Sequence, residues 1–197
     1  GPGCVPWRLV PPGRVGGGLG LWGRNAAVAA AVMTDDGFCR EPWFLESFLE
    51  LADDLAAAAE NKKRLAIMWE LRGCPYCRET HLVNFAKPEI TSYIQQRFEI
   101  LQLNILGSRE VTDFDGEKLT EKAFARKYGV RGVPVFQFFP DSAAGLAQKA
   151  PRNREVARGQ GYIEPQPFLD MFRFVADRAY EKGETLRLPQ SDKLSRP

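Results

Sequence analysis

The chain has 197 residues, of which 44% are hydrophobic and 26% charged, which suits one globular domain with a substantial core, with or without appendages. Its formal net charge is +2, and no basic run has aromatic residues interleaved with it, so nothing indicates a nucleic-acid partner. No apolar window reaches the about 18 residues of a membrane-spanning helix. Four cysteines are too few for a disulfide scaffold at this length.

The first part of the chain differs in composition from the rest. Between Gly1 and Met33 there are eight glycines, four prolines, three arginines and no acidic residue. The run GGLGLWGRNAAVAAAV resembles a degraded export signal, although Arg24 and Asn25 interrupt it. A leader remnant is the favoured interpretation, and an artificially added segment or a disordered tail are the alternatives. We expect residues 1–42 to be poorly ordered and to pack little.

The predicted folded region begins near Trp43 with an amphipathic helix. Its apolar stripe has helical spacing and comprises Phe44, Phe48, Leu51 and Leu55. The polar run ENKK at 60–63 ends this helix. The following run, RLAIMW at 64–69, is almost continuously apolar, which is typical of a strand covered on both faces. A CxxC pair follows directly and begins the next helix.

The rest of the chain alternates between predicted helices and strands. In order, it predicts a helix from Pro88, a strand at 99–105, a polar loop at 106–118, a helix from Thr120 to a stop at Gly129, a strand at 133–139, a polar connection at 140–154, a strand at 155–162 and a closing helix from Phe168 to Ala179. This order predicts an α/β fold of the thioredoxin type, a mixed central sheet flanked by helices with an extra N-terminal helix. The domain is expected over 43–182, with a loose C-terminal tail at 183–197.

The CxxC pair, Cys74 and Cys77, lies where a strand is predicted to end and a helix to begin. Unpaired backbone N–H groups and the helix dipole stabilise a thiolate there, and the thiolate is the attacking species. Cys77 lies one turn further along and can resolve a mixed disulfide. We therefore expect Cys74 to be the more exposed nucleophile and Cys77 the more buried resolving thiol. Pro75 fits the first helical turn, where its missing N–H costs nothing.

Two other uses of the cysteine pair are less favoured. A zinc site would need further ligands, and only Cys4, Cys39 and His81 could supply them, without a second CxxC or an HxxxH pattern. A purely structural disulfide between residues three apart would close almost no loop. The sequence therefore predicts no metal and no cofactor beyond the redox-active pair itself. Cys39 is expected to be free or incidental, although pairing with Cys4 is an alternative.

The stretch RGVPVFQFF places Pro134 at the start of a strand, after the β-branched Val133. In thioredoxin-fold enzymes such a proline is cis and faces the CxxC, which leaves the backbone of the preceding residue free to pair with an extended substrate. An ordinary trans proline at a strand edge is the alternative. Together with the CxxC, we expect a cis bond here. Pro75, Tyr76, Val133 and Pro134 are the predicted substrate-binding residues.

The chain from about Trp43 to Tyr180 resembles the SoxW-type thioredoxin-related proteins, exported thiol–disulfide oxidoreductases associated with bacterial sulfur-oxidation gene clusters. The resemblance rests on GCPYCRETH, on LQLNILGSREVTDFDGEKLTEKAFARKYGVRGVPVFQFF and on GYIEPQPFLDMFRFV. It implies a redox pair at Cys74 and Cys77 and a cis bond at Pro134. It also implies a periplasmic reductase of protein disulfides, among them sulfur-oxidation proteins, with a membrane thiol transporter as electron donor. We separately expect the chain to be a monomer. A cytoplasmic setting is the alternative.

Several residues depart from the general thioredoxin pattern. The usual Thr before the cis-proline is Val133, and the buried acid six residues before the first cysteine is Met68. Glu70 is the nearest acid and could assist proton transfer from Cys77, or it could be a solvated strand-end residue. His81 receives no role. The Cys-Pro-Tyr-Cys sequence matches glutaredoxins, but a Gly-Gly motif soon after the proline is missing, which disfavours a glutathione site.

The sequence thus predicts a thiol–disulfide oxidoreductase, most simply a reductase of protein disulfides. A peptide-binding or chaperone-like module without turnover is an alternative from a different class. An oxidase or isomerase on the same scaffold is a third, because the direction of electron flow depends on the reduction potential.

Overall fold

The computed structural model describes residues 3–6 and 30–197. The predicted leader-like segment therefore falls largely outside the described residues. The described part of the N-terminal region forms a small sheet in the order β1-β2-β3, with β1 at Val5–Pro6, β2 at Val32–Met33 and β3 at Cys39–Arg40. We call residues 3–6 and 30–40 the N-terminal arm.

The N-terminal arm differs from what its composition predicts. A disulfide joins Cys4 to Cys39, with 5.8 Å between their Cα atoms. Ala31 and Phe38 are buried along with both cysteines. The expectations that this region packs little and that Cys39 is free are therefore wrong for the described residues, because a covalent link and a few apolar contacts anchor strands that are otherwise too short to be stable.

The central sheet has four strands in the order β5-β4-β8-β9. Strand β4 (Arg64–Glu70) pairs in parallel with β5 (Phe98–Asn104), and β8 (Val135–Phe138) lies antiparallel to β4 on its other side. Strand β9 (Ala157–Gln160) is antiparallel to β8 and forms one edge. All seven residues of β4 are buried, as expected for a strand covered on both faces. The predicted mixed sheet is confirmed.

Five α-helices and several shorter helical turns accompany the sheets in the described chain. They are α1 (Leu51–Glu60), α2 (Pro75–Glu79), α3 (Pro88–Arg97), α4 (Glu121–Lys127) and α5 (Pro165–Ala176), with a π-helical turn at Thr80–Asn84 and 3-10 turns at Leu146–Gln148, Pro151–Arg154 and Ala179–Lys182. Helices α1 and α4 contribute to the core on one side of the sheet. Helices α3 and α5 contribute to the core on the other side. The thioredoxin-type layering, with the extra helix α1, is therefore confirmed.

The first helix begins later than the apolar spacing predicts. Leu49 has a φ of 61°, in the left-handed region, which interrupts a helix at that point. Glu50 instead forms a parallel bridge with Thr112, and the Phe48 side chain is 98% exposed. The inclusion of Phe48 in a buried stripe is therefore wrong. Only Leu51 and Leu55 of the predicted stripe lie on the buried face of the helix that forms.

Two predicted irregular regions contain order. The predicted polar loop at 106–118 contains most of a hairpin of β6 (Glu110–Thr112) and β7 (Lys118–Thr120). Residues 183–197 were expected to be loose, yet Leu188 packs against one core cluster and Leu194 against the other. In the described chain, no helix is both long and apolar enough to cross a membrane.

Candidate active site

The two cysteines sit at the junction predicted from the sequence. Strand β4 ends at Glu70, and Gly73 (φ 77°) allows the turn that leads into α2. Cys74 is the N-cap residue of α2, and its Sγ accepts a hydrogen bond from the backbone N–H of Cys77 at 3.1 Å. Pro75 occupies the first helical position, where no N–H is needed. Cys74 and Cys77 form a disulfide, with 5.3 Å between their Cα atoms.

Both sulfur-bearing residues are buried, which differs from the prediction for Cys74. The exposed fractions are 6% for Cys74 and 3% for Cys77. The N-terminal arm is one cause, because Phe38 and Cys39 line the same small cavity as the two active-site cysteines. The prediction that Cys74 is exposed is therefore wrong. It did not take into account the N-terminal arm, which was expected to pack little.

The Val133–Pro134 peptide bond is cis, in agreement with the prediction. The carbonyl oxygen of Val133 lies 3.9 Å from the Sγ of Cys74, so this turn faces the cysteine pair. The backbone of Val133 is not free, however. Its N–H donates to the Ser195 carbonyl at 2.9 Å, and its carbonyl accepts from the Ser195 N–H at 2.8 Å. The expected open strand edge is therefore covered by the chain's own residues.

The remaining predicted site residues lie around this centre. Pro75 is exposed and Tyr76 is half-buried, with its side chain against the core cluster that contains both cysteines. Glu70 is only 1% exposed and lines the same small cavity as Cys74 and Cys77. The alternative of a solvated Glu70 is therefore wrong, because strand β4 is covered along its whole length.

A buried polar network surrounds Glu70. The Nε2 of His81 lies 2.9 Å from a Glu70 carboxyl oxygen, and its Nδ1 lies 3.1 Å from Glu41. The side-chain amide of Gln102 donates to Glu70 and also to the Cys39 carbonyl, the latter at 2.7 Å. Both ring nitrogens of the histidine are thus engaged by acids, and the network links the active-site strand to the N-terminal arm.

The network changes the protonation of His81. Burial by itself would lower the pKa of this imidazole, because the charged form loses hydration. The charge of Glu70 and the hydrogen bonds to Glu41 and Glu70 outweigh that cost and raise the pKa to about 9. At neutral pH the histidine is therefore an imidazolium bonded to Glu70, a residue that lines the same cavity as the two cysteines.

Sequence reasoning missed Glu41 and Gln102. Glu41 lies 40 residues before His81 in the chain, and no local pattern relates the two. Gln102 occupies a polar position of an alternating strand, where a solvent-facing side chain is the usual expectation. Within the described residues, no group of three or more His, Cys, Asp or Glu side chains is arranged to hold a metal ion.

One family model and two solved structures are similar to this chain. The family model of the thioredoxin-like domain matches residues 51–176, more than half of the chain. Among solved structures, a thioredoxin-fold protein from Helicobacter pylori is similar with a TM-score of 0.51 and 18% identity, covering 68% of this chain and 88% of that one. The oxidised C-terminal domain of DsbD from Neisseria meningitidis matches with a TM-score of 0.44 and 14% identity, covering 67% and 98%. No curated protein matches the sequence.

The chain belongs to the thioredoxin-like domain family. Its members are typically thiol–disulfide oxidoreductases, and the Cys74–Cys77 disulfide lies at the start of a helix as that chemistry requires. The chain is therefore placed in the general class of thioredoxin-like thiol–disulfide oxidoreductases.

Proposed function

We propose that the chain is a reductase of protein disulfides that works through Cys74 and Cys77. The observation that carries the proposal is the hydrogen bond from the Cys77 N–H to the Cys74 Sγ, opposite the cis Val133–Pro134 bond. In the reduced protein the same N–H would stabilise a Cys74 thiolate. The nucleophile is therefore prepared by the backbone of its own helix.

The proposed reaction transfers two electrons in two exchanges. The Cys74 thiolate attacks one sulfur of a substrate disulfide, forming a mixed disulfide and releasing one substrate thiolate. Cys77 then loses its proton, and its thiolate attacks the Cys74 Sγ. This step releases the second substrate thiolate and leaves the Cys74–Cys77 disulfide. The substrate is reduced and the enzyme pair is oxidised by the same two electrons.

Glu70 is the proposed acceptor of the Cys77 proton. Glu70 lines the cavity that both cysteines line, and no other acidic residue does so among the residues described. Its bonds to His81 and Gln102 hold the carboxyl group in one orientation. Because Glu70 is buried, bulk water has little access to this position, which leaves the carboxyl group as the nearby base.

The resemblance to SoxW-type proteins supplies the proposed setting. We propose a periplasmic reductase that receives its electrons from a membrane thiol transporter and acts on protein disulfides, including those of sulfur-oxidation proteins. The Cys4–Cys39 disulfide is compatible with an oxidising compartment. A reduction potential of about −270 mV or lower would support the reductase direction, and one near about −120 mV would instead support an oxidase.

Two serine variants test the mechanism. Cys77→Ser should accumulate a covalent mixed disulfide with substrate protein, visible on non-reducing gels, because the resolving thiol is gone. Cys74→Ser should lose insulin reduction, because the attacking thiolate is gone. Both are made in a background with Cys4→Ser and Cys39→Ser, so that trapped products report only the active-site pair. Insulin reduction by Cys74→Ser at the parent rate would contradict the mechanism. A pair that never exchanges with dithiothreitol would favour the peptide-binding alternative.

A further inference from the structure

The residues that cover the strand edge at Val133 are Ser191–Ser195, which we call the closing segment. It runs past two backbone sites. At the first, Ser195 exchanges two backbone hydrogen bonds with Val133, as a paired strand does. At the second, the Tyr162 N–H donates to the Lys193 carbonyl at 2.8 Å, and the Ser191 hydroxyl donates to the Tyr162 carbonyl at 2.7 Å.

The side chains of the closing segment fit this surface closely. Leu194 packs against the core cluster that contains both active-site cysteines and Val133. It lies so near Gly132 that a Cβ added there would be 2.5 Å from its Cδ2 atom. A Cβ on Gly161 would lie 3.0 Å from the Ser191 hydroxyl oxygen. Two positions without side chains thus leave the room that the segment uses.

The closing segment is held mainly by backbone hydrogen bonds and one aliphatic side chain. Asp192 and Lys193 are exposed, and Leu194 and Ser195 are only half-buried. The Lys193 ammonium nitrogen lies 5.5 Å from the centre of the Tyr162 ring. Contacts of this kind are those of an added strand, in which the backbone supplies affinity and alternate side chains supply selectivity.

We propose that the closing segment occupies the docking edge for substrate peptides and competes with them, an inference that rests on the proposed function. By this proposal the edge accepts a peptide that places an aliphatic side chain over Gly132, as Leu194 does, and pairs its next residue with Val133, as Ser195 does. A basic residue precedes the aliphatic one and faces Tyr162. Substrate reaches Cys74 when the segment is displaced, so occupancy of the edge sets the rate at low substrate concentration.

A proline scan of two adjacent positions tests the competition in the full chain. Ser195→Pro removes the N–H that donates to Val133 and should open the docking edge. Arg196→Pro is the matched control, because the Arg196 N–H donates no hydrogen bond to any described residue. With a disulfide-containing peptide as substrate, Ser195→Pro should raise kcat/KM by about tenfold, since losing one such hydrogen bond typically changes an equilibrium by about that factor. Arg196→Pro should stay within about twofold of wild type.

A binding measurement separates this inference from the proposed activity. A fluorescent peptide, QSDKLSRP, copies residues 190–197. It should bind Ser195→Pro about tenfold more tightly than wild type by fluorescence anisotropy, and its Leu→Asp version should not bind. Tighter binding without any disulfide reduction by either protein would overturn the proposed activity and keep the inference. Equal peptide affinity and equal kcat/KM in wild type, Ser195→Pro and a second opening variant, Leu194→Asp, would overturn the inference alone.

Discussion

Replacing His81 with glutamine tests the charge state of the buried network under the active site. The folded-state pKa of His81 is raised from 6.5 to about 9. Proton binding therefore contributes stability that is fully present below pH 6.5 and is lost as the pH rises through about 9. The size of the shift corresponds to about 3 kcal/mol in the free energy of unfolding. His81→Gln should lack this contribution, because an amide does not titrate.

The measurement is urea denaturation of the oxidised protein at several pH values from 6 to 10. His81 is the only histidine in the chain, so no other imidazole adds to the slope in this range. The free energy of unfolding of the wild type should fall by about 3 kcal/mol across the range, and that of His81→Gln should change far less. Parallel curves for the two proteins would show that the histidine is not held as an imidazolium by Glu70 and Glu41.

Three further changes follow from the packing. Arg154→Met should lower the free energy of unfolding by about 3–5 kcal/mol in urea, since the buried guanidinium is 3.0 Å from the buried Asp113; a loss below about 1 kcal/mol would show that the pair is not essential. Phe85→Ala should lower the free energy of unfolding by about 3–5 kcal/mol, because the Phe85 ring is fully buried among other aromatic rings. Phe48→Ala is the control and should leave the free energy of unfolding nearly unchanged, because Phe48 is exposed. Replacing both Cys4 and Cys39 by serine should lower the free energy of unfolding by about 2–4 kcal/mol. Dithiothreitol should cause no further loss of this size in the variant, because the Cys4–Cys39 disulfide is already absent.

The central fold could be predicted because its signals are local and strong. The run at 64–69 is buried on both faces, and Thr120 and Gly129 mark the ends of α4 by capping and by a positive φ of 66°. The start of α1 could not be predicted in the same way. Phe48 has helical spacing, but the bridge from Glu50 to β6 imposes an extended backbone that only the tertiary structure reveals.

The site was predictable where the chemistry is contained in a short motif. Cys74, Cys77 and the Val133–Pro134 bond are all read from a few neighbouring residues. The partners of His81 come from segments far apart in the chain, and no pattern in any one of them indicates burial. The closing segment was missed for a related reason, because a polar stretch such as SDKLSRP pairs through its backbone, which side-chain composition does not reveal.

The π-helical turn at Thr80–Asn84 joins the cysteine-bearing helix to the docking edge. In this turn the Phe85 N–H donates to the Thr80 carbonyl, five residues earlier, so the turn is wider than an α-helical one. The Asn84 side chain donates to the Ile163 carbonyl at 2.7 Å and accepts from the Tyr162 hydroxyl at 2.9 Å. The loop that binds the closing segment through Tyr162 is therefore hydrogen-bonded to the far end of the helical stretch that begins at the disulfide.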